Sequence, residues 1–199
     1  LGDVYKRQIR GFIRDYRATT PHFPLLPQEF LSYLQGLYQG EDSLFDRYPF
    51  ISELAHYEWV ELDVQIAKTP QLPHVTGSIQ ANDVLELNTS AHVLAYEWPV
   101  HQIGPECLPS ERPETPTSVA VFQNAKADCE FMSLTPLAAL LLENIQHYDA
   151  CSLADHVALL ARQHDALSPQ SLFDDAVNLI DKMRLRGLVL CPATACEFD

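Results

Sequence analysis

Residues 118–145 read SVAVFQNAKADCEFMSLTPLAALLLENI, and the change of pattern inside this stretch decides the fold class. Ser118 to Gln123 (SVAVFQ) is β-prone, Asn124 to Asp128 is polar and fits a hairpin connection, and Cys129 to Leu134 (CEFMSL) reads as the return strand. Thr135 then offers a capping hydroxyl, with Pro136 at the first helical position. Leu137, Leu140, Leu141 and Ile145 follow at helical spacing. A hairpin that passes straight into a helix predicts an α+β domain.

The pattern continues downstream. Ser152 with Asp155 three residues on is a variant capping box, and Leu153, Val157 and Leu160 form the stripe of a second helix. Ser168 and Pro169 open a third, with Leu172, Phe173, Ala176, Leu179, Ile180 and Met183 on its apolar side. Lys182, Arg184 and Arg186 sit in its last turn, where cations suit the helix dipole. Gly187 fits the left-handed stop, and Leu188 to Cys191 reads as a short final strand. A β-hairpin, three helices and a short strand are the elements of a winged-helix-like domain, expected over 83–199.

Upstream the period changes. Residues 9–70 read as a helical bundle fragment. It carries Phe12, Ile13 and Tyr16, then Phe30, Leu31, Leu34 and Tyr38, then a long helix over Phe50 to Ala67 opened by Pro49. Thr20-Pro21, Pro24 to Pro27, Gly36 and Gly40 with Glu41-Asp42 interrupt it. Residues 71–82 have little periodicity and are expected to be the linker. Short extended segments follow at Val84 to Leu87 and His92 to Tyr96, and 104–117 is a proline-rich exposed loop. The first eight residues, LGDVYKRQ, look like translated sequencing-adaptor sequence and are expected to be an artefact.

Charge narrows the function classes. Thirteen Lys and Arg against 27 Asp and Glu give a formal charge of −14, a poor base for neutralising phosphates. The first part of the third helix, where a DNA-reading helix usually contacts bases, carries Asp174 and Asp175. A winged helix has a second use, in which a leader peptide adds a strand to the hairpin edge. Peptide binding is therefore the expectation, with a DNA-binding winged-helix transcriptional regulator as the alternative. Candidate peptide contacts are Val119, Val121, Cys129 and Phe131 on the hairpin, and Leu172, Phe173 and Ala176 at the start of the third helix; packing in the core is the competing reading for the last three.

The segment Glu53 to Asp63 (ELAHYEWVELD) is the most unusual. Glu53 and His56 are three apart, as in carboxylate-bridged metal helices, but no second such motif occurs. Glu53, His56, Tyr57, Glu58 and Trp59, with Tyr96, Trp98 and His101 beside Pro99, are expected to serve as inter-domain tethers or partner contacts. No P-loop, GxGxxG or HExxH motif is present, and Ser90 and Ser118 lack the surroundings of an activated nucleophile. No catalytic residue, metal site or cofactor is assigned. Cysteines at 107, 129, 151, 191 and 196 include no CxxC pair and read as reduced thiols of a cytoplasmic protein.

Several strings resemble one family. TPHFPLLPQEFLSYL (20–34), PFISELAHYEWVELDVQIA (49–67), VLAYEWPVHQI (93–103) and the 118–145 stretch are similar to the HvfC/BufC family, once described as a DNA-binding family, and LAHYEWVEL is the most specific block. The resemblance spans about residues 9–192. It implies an N-terminal helical domain, longer in the family than the piece read here, followed by a peptide-recognition winged helix. It also implies a non-catalytic partner of a multinuclear non-haem iron oxidase that modifies cysteines in a ribosomally made precursor peptide. The oxidase would hold the iron.

Overall fold

The computed structural model describes residues 2–20, 25–38, 43–68, 77–104, 106–163 and 169–192. In chain order the elements are α1 (Gly2–Asp15), α2 (Leu26–Tyr38), α3 (Ser43–Arg47), α4 (Ile51–Ile66), β1 (Glu86–Leu87), β2 (His92–Tyr96), β3 (Thr117–Gln123), β4 (Cys129–Ser133), α5 (Pro136–His147), α6 (Leu153–Gln163), α7 (Pro169–Arg186) and β5 (Val189–Leu190). A short 3-10 turn covers Val100–Gln102. The protein is therefore α+β, with N-terminal helices followed by a part that contains strands. The expected breaks at Pro21, Pro24, Gly40 and Glu41-Asp42, the helix opener Ser168 and Cys196 lie outside the described residues, as do residues 71–76 of the expected linker.

The division into units differs from the one expected. One unit comprises Leu1–Leu62 with Tyr96–Thr117, the other Asp63–Ala95 with Ser118–Asp199. The change of unit falls inside α4 rather than at 71–82, and the proline-rich loop counts with the helices. Pro and Gly signal where regular structure stops; they do not signal which neighbours a segment packs against, and here 96–117 finds its partners in the first unit.

In the first unit, α1 and α2 meet through rings. Phe12 stacks on Tyr16 at 5.0 Å and meets Phe30 edge-on at 5.4 Å. Gly11 lies under Tyr33, whose hydroxyl would be 2.5 Å from any Cβ placed there, so no larger residue fits without movement. Helix α1 runs through residues 2–8, the stretch set aside as an artefact, and Gln8 is buried.

In the second unit the local signals act as read. Thr135 Oγ1 accepts the Ala138 N–H at 3.3 Å, with Pro136 at the start of α5. Ser152 Oγ accepts the Asp155 N–H at 3.2 Å, and the Asp155 carboxylate accepts the Ser152 N–H at 3.0 Å, a reciprocal cap on α6. Helix α7 ends in a Schellman motif. Gly187, at φ 83°, donates to the Arg184 carbonyl, and Leu188 donates to the Met183 carbonyl.

Strand order is β2-β3-β4 in one antiparallel group, while β5 pairs with β1 in a separate ladder, Glu86 opposite Leu190 and Leu87 opposite Val189. The final strand thus joins β1, not the hairpin. The core lies on the helical face of β3, where Ala120 and Phe122 pack with Leu141, Leu142, Leu153, Leu160, Leu172, Ala176, Ile180 and Met183. On the opposite face Val119, Val121 and Gln123 are buried as well, so β3 is a central strand covered on both sides.

Candidate functional site

The hairpin register fixes which backbone groups of β4 face away from β3. Asn124 donates to the Asp128 carbonyl at 2.9 Å and Leu134 to the Ser118 carbonyl at 2.9 Å. Between these, Phe122 is opposite Glu130 and Ala120 opposite Met132. Antiparallel hydrogen bonding alternates, so Glu130 and Met132 direct their N–H and C=O groups to β3, and Cys129, Phe131 and Ser133 direct theirs to the other side. Among the described strands β4 is the last in the order. The edge of β3 is covered by β2.

One residue of α7 reaches β4. Arg186 donates from Nη2 to the Phe131 carbonyl at 2.9 Å and from Nε to the Glu130 carboxylate at 2.9 Å. Its guanidinium also lies 5.8 Å from the centre of the Phe122 ring. Glu130 in turn accepts from Asn124 Nδ2 at 2.8 Å. Burial, the largest single influence, raises the Glu130 pKa, but Asn124 and Arg186 together with the charge of Lys126 outweigh it and the carboxyl stays below its usual range. Phe131, on this strand, is 38% exposed.

The expected peptide contacts divide. Cys129 is half-buried and Phe131 exposed on β4. Val119 and Val121 are 2% and 0% exposed on the central strand, and Leu172 and Ala176 are 2% and 0% exposed within the helical core. These four are packing residues. Phe173 is partly buried against the same core. Leu172 lies 14 residues before Arg186, about 21 Å along a helix at 1.5 Å per residue. The turn of α7 that bonds to β4 is therefore its last, not its first.

The Glu53 segment holds residues 96–98 within the first unit. The two Glu53 carboxylate oxygens accept the N–H groups of Glu97 and Trp98 at 3.0 and 2.9 Å. His56 Nδ1 lies 2.9 Å from the Tyr96 hydroxyl, and Tyr57 meets the Tyr96 ring edge-on at 6.1 Å. Phe50 meets the Trp98 ring edge-on at 5.9 Å. Burial, then the charge of Glu53 and the neighbouring Tyr57, push the Tyr96 hydroxyl pKa well up. This is a tether, but one that ties the 96–98 segment to α4 inside a single unit. Both Glu53 oxygens are engaged by backbone, which leaves them poorly placed to ligate a metal.

Glu58 and Trp59 point elsewhere. With Ile9, Phe12, Phe30, Ala55 and Leu62 they line an apolar pocket of about 430 Å³. Burial of its carboxyl against that lining, and then the charge of Glu61, raise the Glu58 pKa. His101 is half-buried in the 3-10 turn, with Nε2 3.0 Å from Gln102 Nε2. Among the described residues no group of three or more His, Cys, Asp or Glu side chains could hold a metal. None of the described cysteines forms a disulfide, and burial pushes the Cys191 thiol up to about 11.

Two features escaped sequence reading. Arg186 was assigned only to the helix dipole; nothing in its spacing announces a contact 55 residues back along the chain. Asn88 sits between two short strands like an ordinary turn residue, yet it is 1% exposed and bonded on all sides. Its Nδ2 donates to the Gln123 carbonyl at 2.9 Å and the Gly187 carbonyl at 2.7 Å, and its Oδ1 accepts from the Ser90 N–H at 2.9 Å and hydroxyl at 2.8 Å.

A hairpin, three helices and a last described strand beside the end of the last helix define an α+β domain. Residues 88–184 match the model of the HvfC C-terminal domain, which supports membership of the HvfC/BufC family. The match begins at the buried Asn88 and ends two residues before Arg186. No curated protein matches the chain. Family membership supports a partner or accessory role.

Proposed function

We propose that the chain is a non-catalytic adaptor that binds the leader of a Cys-containing precursor peptide and presents it to a multinuclear non-haem iron oxidase. The observation that carries this reading is the position of β4 at the end of the strand order among the described residues, with Ser133 exposed and its backbone N–H directed away from β3. An extended peptide satisfies such an edge by main-chain hydrogen bonds, and flanking side chains supply selectivity. The iron and the chemistry belong to the oxidase; this chain contributes position.

The DNA-binding alternative loses support from the same geometry. Arg184 is buried, donating to the Gly77 carbonyl at 2.7 Å and to Asp181 at 2.8 Å, and Arg186 is held by Glu130 and Phe131. Two of the three cations at the end of α7 are thus bonded within the protein, while Asp174 and Asp175 are exposed near its start.

The test is a proline at an edge-facing N–H. Ser133 is exposed at the end of β4 and its N–H faces away from β3, so Ser133→Pro removes an edge donor where the fold tolerates it best. The variant is expected to fold, to lose binding of a labelled leader in fluorescence anisotropy, and to fail to carry that peptide into a complex with the oxidase. Unchanged leader affinity in the folded variant refutes docking on β4. Sub-micromolar, steeply salt-dependent retardation of random duplex would favour the regulator instead.

A further inference from the structure

We propose that the pocket between α1, α2 and α4 is a binding site for a small apolar amine, an aliphatic or aromatic body carrying one cation, and that Glu58 receives the cation. The site lies within the first unit and stands independently of peptide docking on β4. Its walls include Phe12 from α1, Phe30 from α2, and Ala55, Trp59 and Leu62 from α4. The volume, about 430 Å³, is that of a small-molecule site, for which roughly 300–1,000 Å³ is usual.

The α4 face decides the chemistry. Ala55, Glu58, Trp59 and Leu62 are spaced at three and four residues and so share one side of the helix. Glu58 breaks this otherwise apolar stripe, and among the described lining residues it is the one that ionises. The lining desolvates its carboxyl, and the charge that acts on it is that of Glu61, which is negative as well; both raise its pKa. A carboxylate in this setting costs free energy that an apolar residue at the same place would not. A cation bound at Glu58 offsets both influences while the body of the ligand covers the apolar walls. A neutral ligand of the same shape gains only the second contribution, and an anion meets two carboxylates. The formal charge of −14 also draws cations toward the surface. Glu58 as a whole is exposed, so the cation reaches it from solvent and the pair gains only the low end of a charge-assisted hydrogen bond.

The experiment titrates the full chain with n-octylamine, n-octanol and octanoate, probes of one length that carry a cation, a neutral group and an anion. Calorimetry gives the affinities, and the fluorescence of Trp59, which lines the pocket, places the ligand. Octylamine is expected to bind about tenfold more tightly than octanol, the size set by one partly exposed charge-assisted hydrogen bond, and octanoate more weakly than either. Glu58→Gln should bring octylamine to the affinity of octanol and leave octanol unchanged. The emission change should vanish in Trp59→Phe, in which Trp98 is the remaining tryptophan. Equal binding of octylamine and octanol, an amine preference that persists in Glu58→Gln, or an emission change that survives in Trp59→Phe overturns the site, as does the absence of octylamine binding by calorimetry. Should Glu58→Gln fail to fold by circular dichroism, the ranking of the probes by the unaltered chain decides: amine first supports the site, and any other order overturns it.

Discussion

Replacing Asn88 by Ala should remove a large fraction of the stability of the second unit. The side chain is 1% exposed and makes four hydrogen bonds of 2.7–2.9 Å, two as donor and two as acceptor. Truncation orphans the carbonyls of Gln123 and Gly187 and the Ser90 N–H, and it frees the Ser90 hydroxyl, whose oxygen accepts the Gln123 N–H at 2.9 Å. Each buried group left without a partner costs about 1–3 kcal/mol. Carbonyls are at the low end, and water entering the space left by the amide recovers part of the loss. The net cost expected is about 4 kcal/mol, against a total of about 5–15 kcal/mol for a domain. Both tryptophans, Trp59 and Trp98, lie in the first unit, so their fluorescence would miss the event. The assay is urea unfolding followed by far-ultraviolet circular dichroism, with amide exchange read at Val121 and Phe122. A loss below about 1 kcal/mol, with unchanged exchange at β3, would refute the claim that this network holds the turn, the end of α7 and the end of β3 together.

Two further outcomes follow from the backbone and from titration. Ala127 sits at φ 66° in the hairpin turn, so Ala127→Gly should stabilise the chain by about 1 kcal/mol, read as a higher urea midpoint; a lower midpoint would show that the turn is not strained there. His156 is fully buried in α6, and burial lowers its pKa below 6.5, partly offset by the charge of Asp155 and the Cys151 backbone. The unfolded chain therefore binds the proton more readily. Stability is fully present above pH 6.5 and falls as pH drops from there toward the depressed folded value. Asp155, held below its usual range by Ser152, loses its contribution only at more acidic pH, under 3.8. Unfolding midpoints between pH 7.5 and 5 should fall for the wild type and stay flat for His156→Gln; parallel curves would count against His156 as the source.

Much of the second unit was legible because its signals are local. The Thr135 cap, the Ser152–Asp155 box, the Asn124 turn and the Gly187 stop each act over a few residues, and each forms as read. Asn124 Oδ1, for example, accepts the N–H groups of Lys126 and Asp128 at 2.8 and 3.0 Å, closing the turn with its own side chain. What the sequence did not convey is non-local. Period alone cannot say that both faces of β3 are covered, so Val119 and Val121 read as surface contacts when they are core. Nor can it say that β5 joins β1, or that the last turn of α7, not its first, meets the hairpin. The Glu53 block was recognisable as unusual because a carboxylate and a histidine lie beside an apolar stripe. Their actual partners, the N–H groups at 97 and 98 and the Tyr96 hydroxyl, are 40 to 45 residues away.

The arrangement of cations carries the functional argument furthest. A winged-helix element list is neutral between DNA and peptide, and net charge alone decides little, because one basic patch can suffice for phosphate binding. The use made of individual cations is more informative. Arg184 fastens residues 77–79 to α7 through the Gly77 carbonyl and through Asp181, which also accepts the Ile79 N–H at 3.3 Å. Arg186 fastens the hairpin edge. Releasing either to a phosphate would strip hydrogen bonds from the Gly77 carbonyl and the partly exposed Asp181 or from β4, and the gain at a surface phosphate would have to exceed that loss.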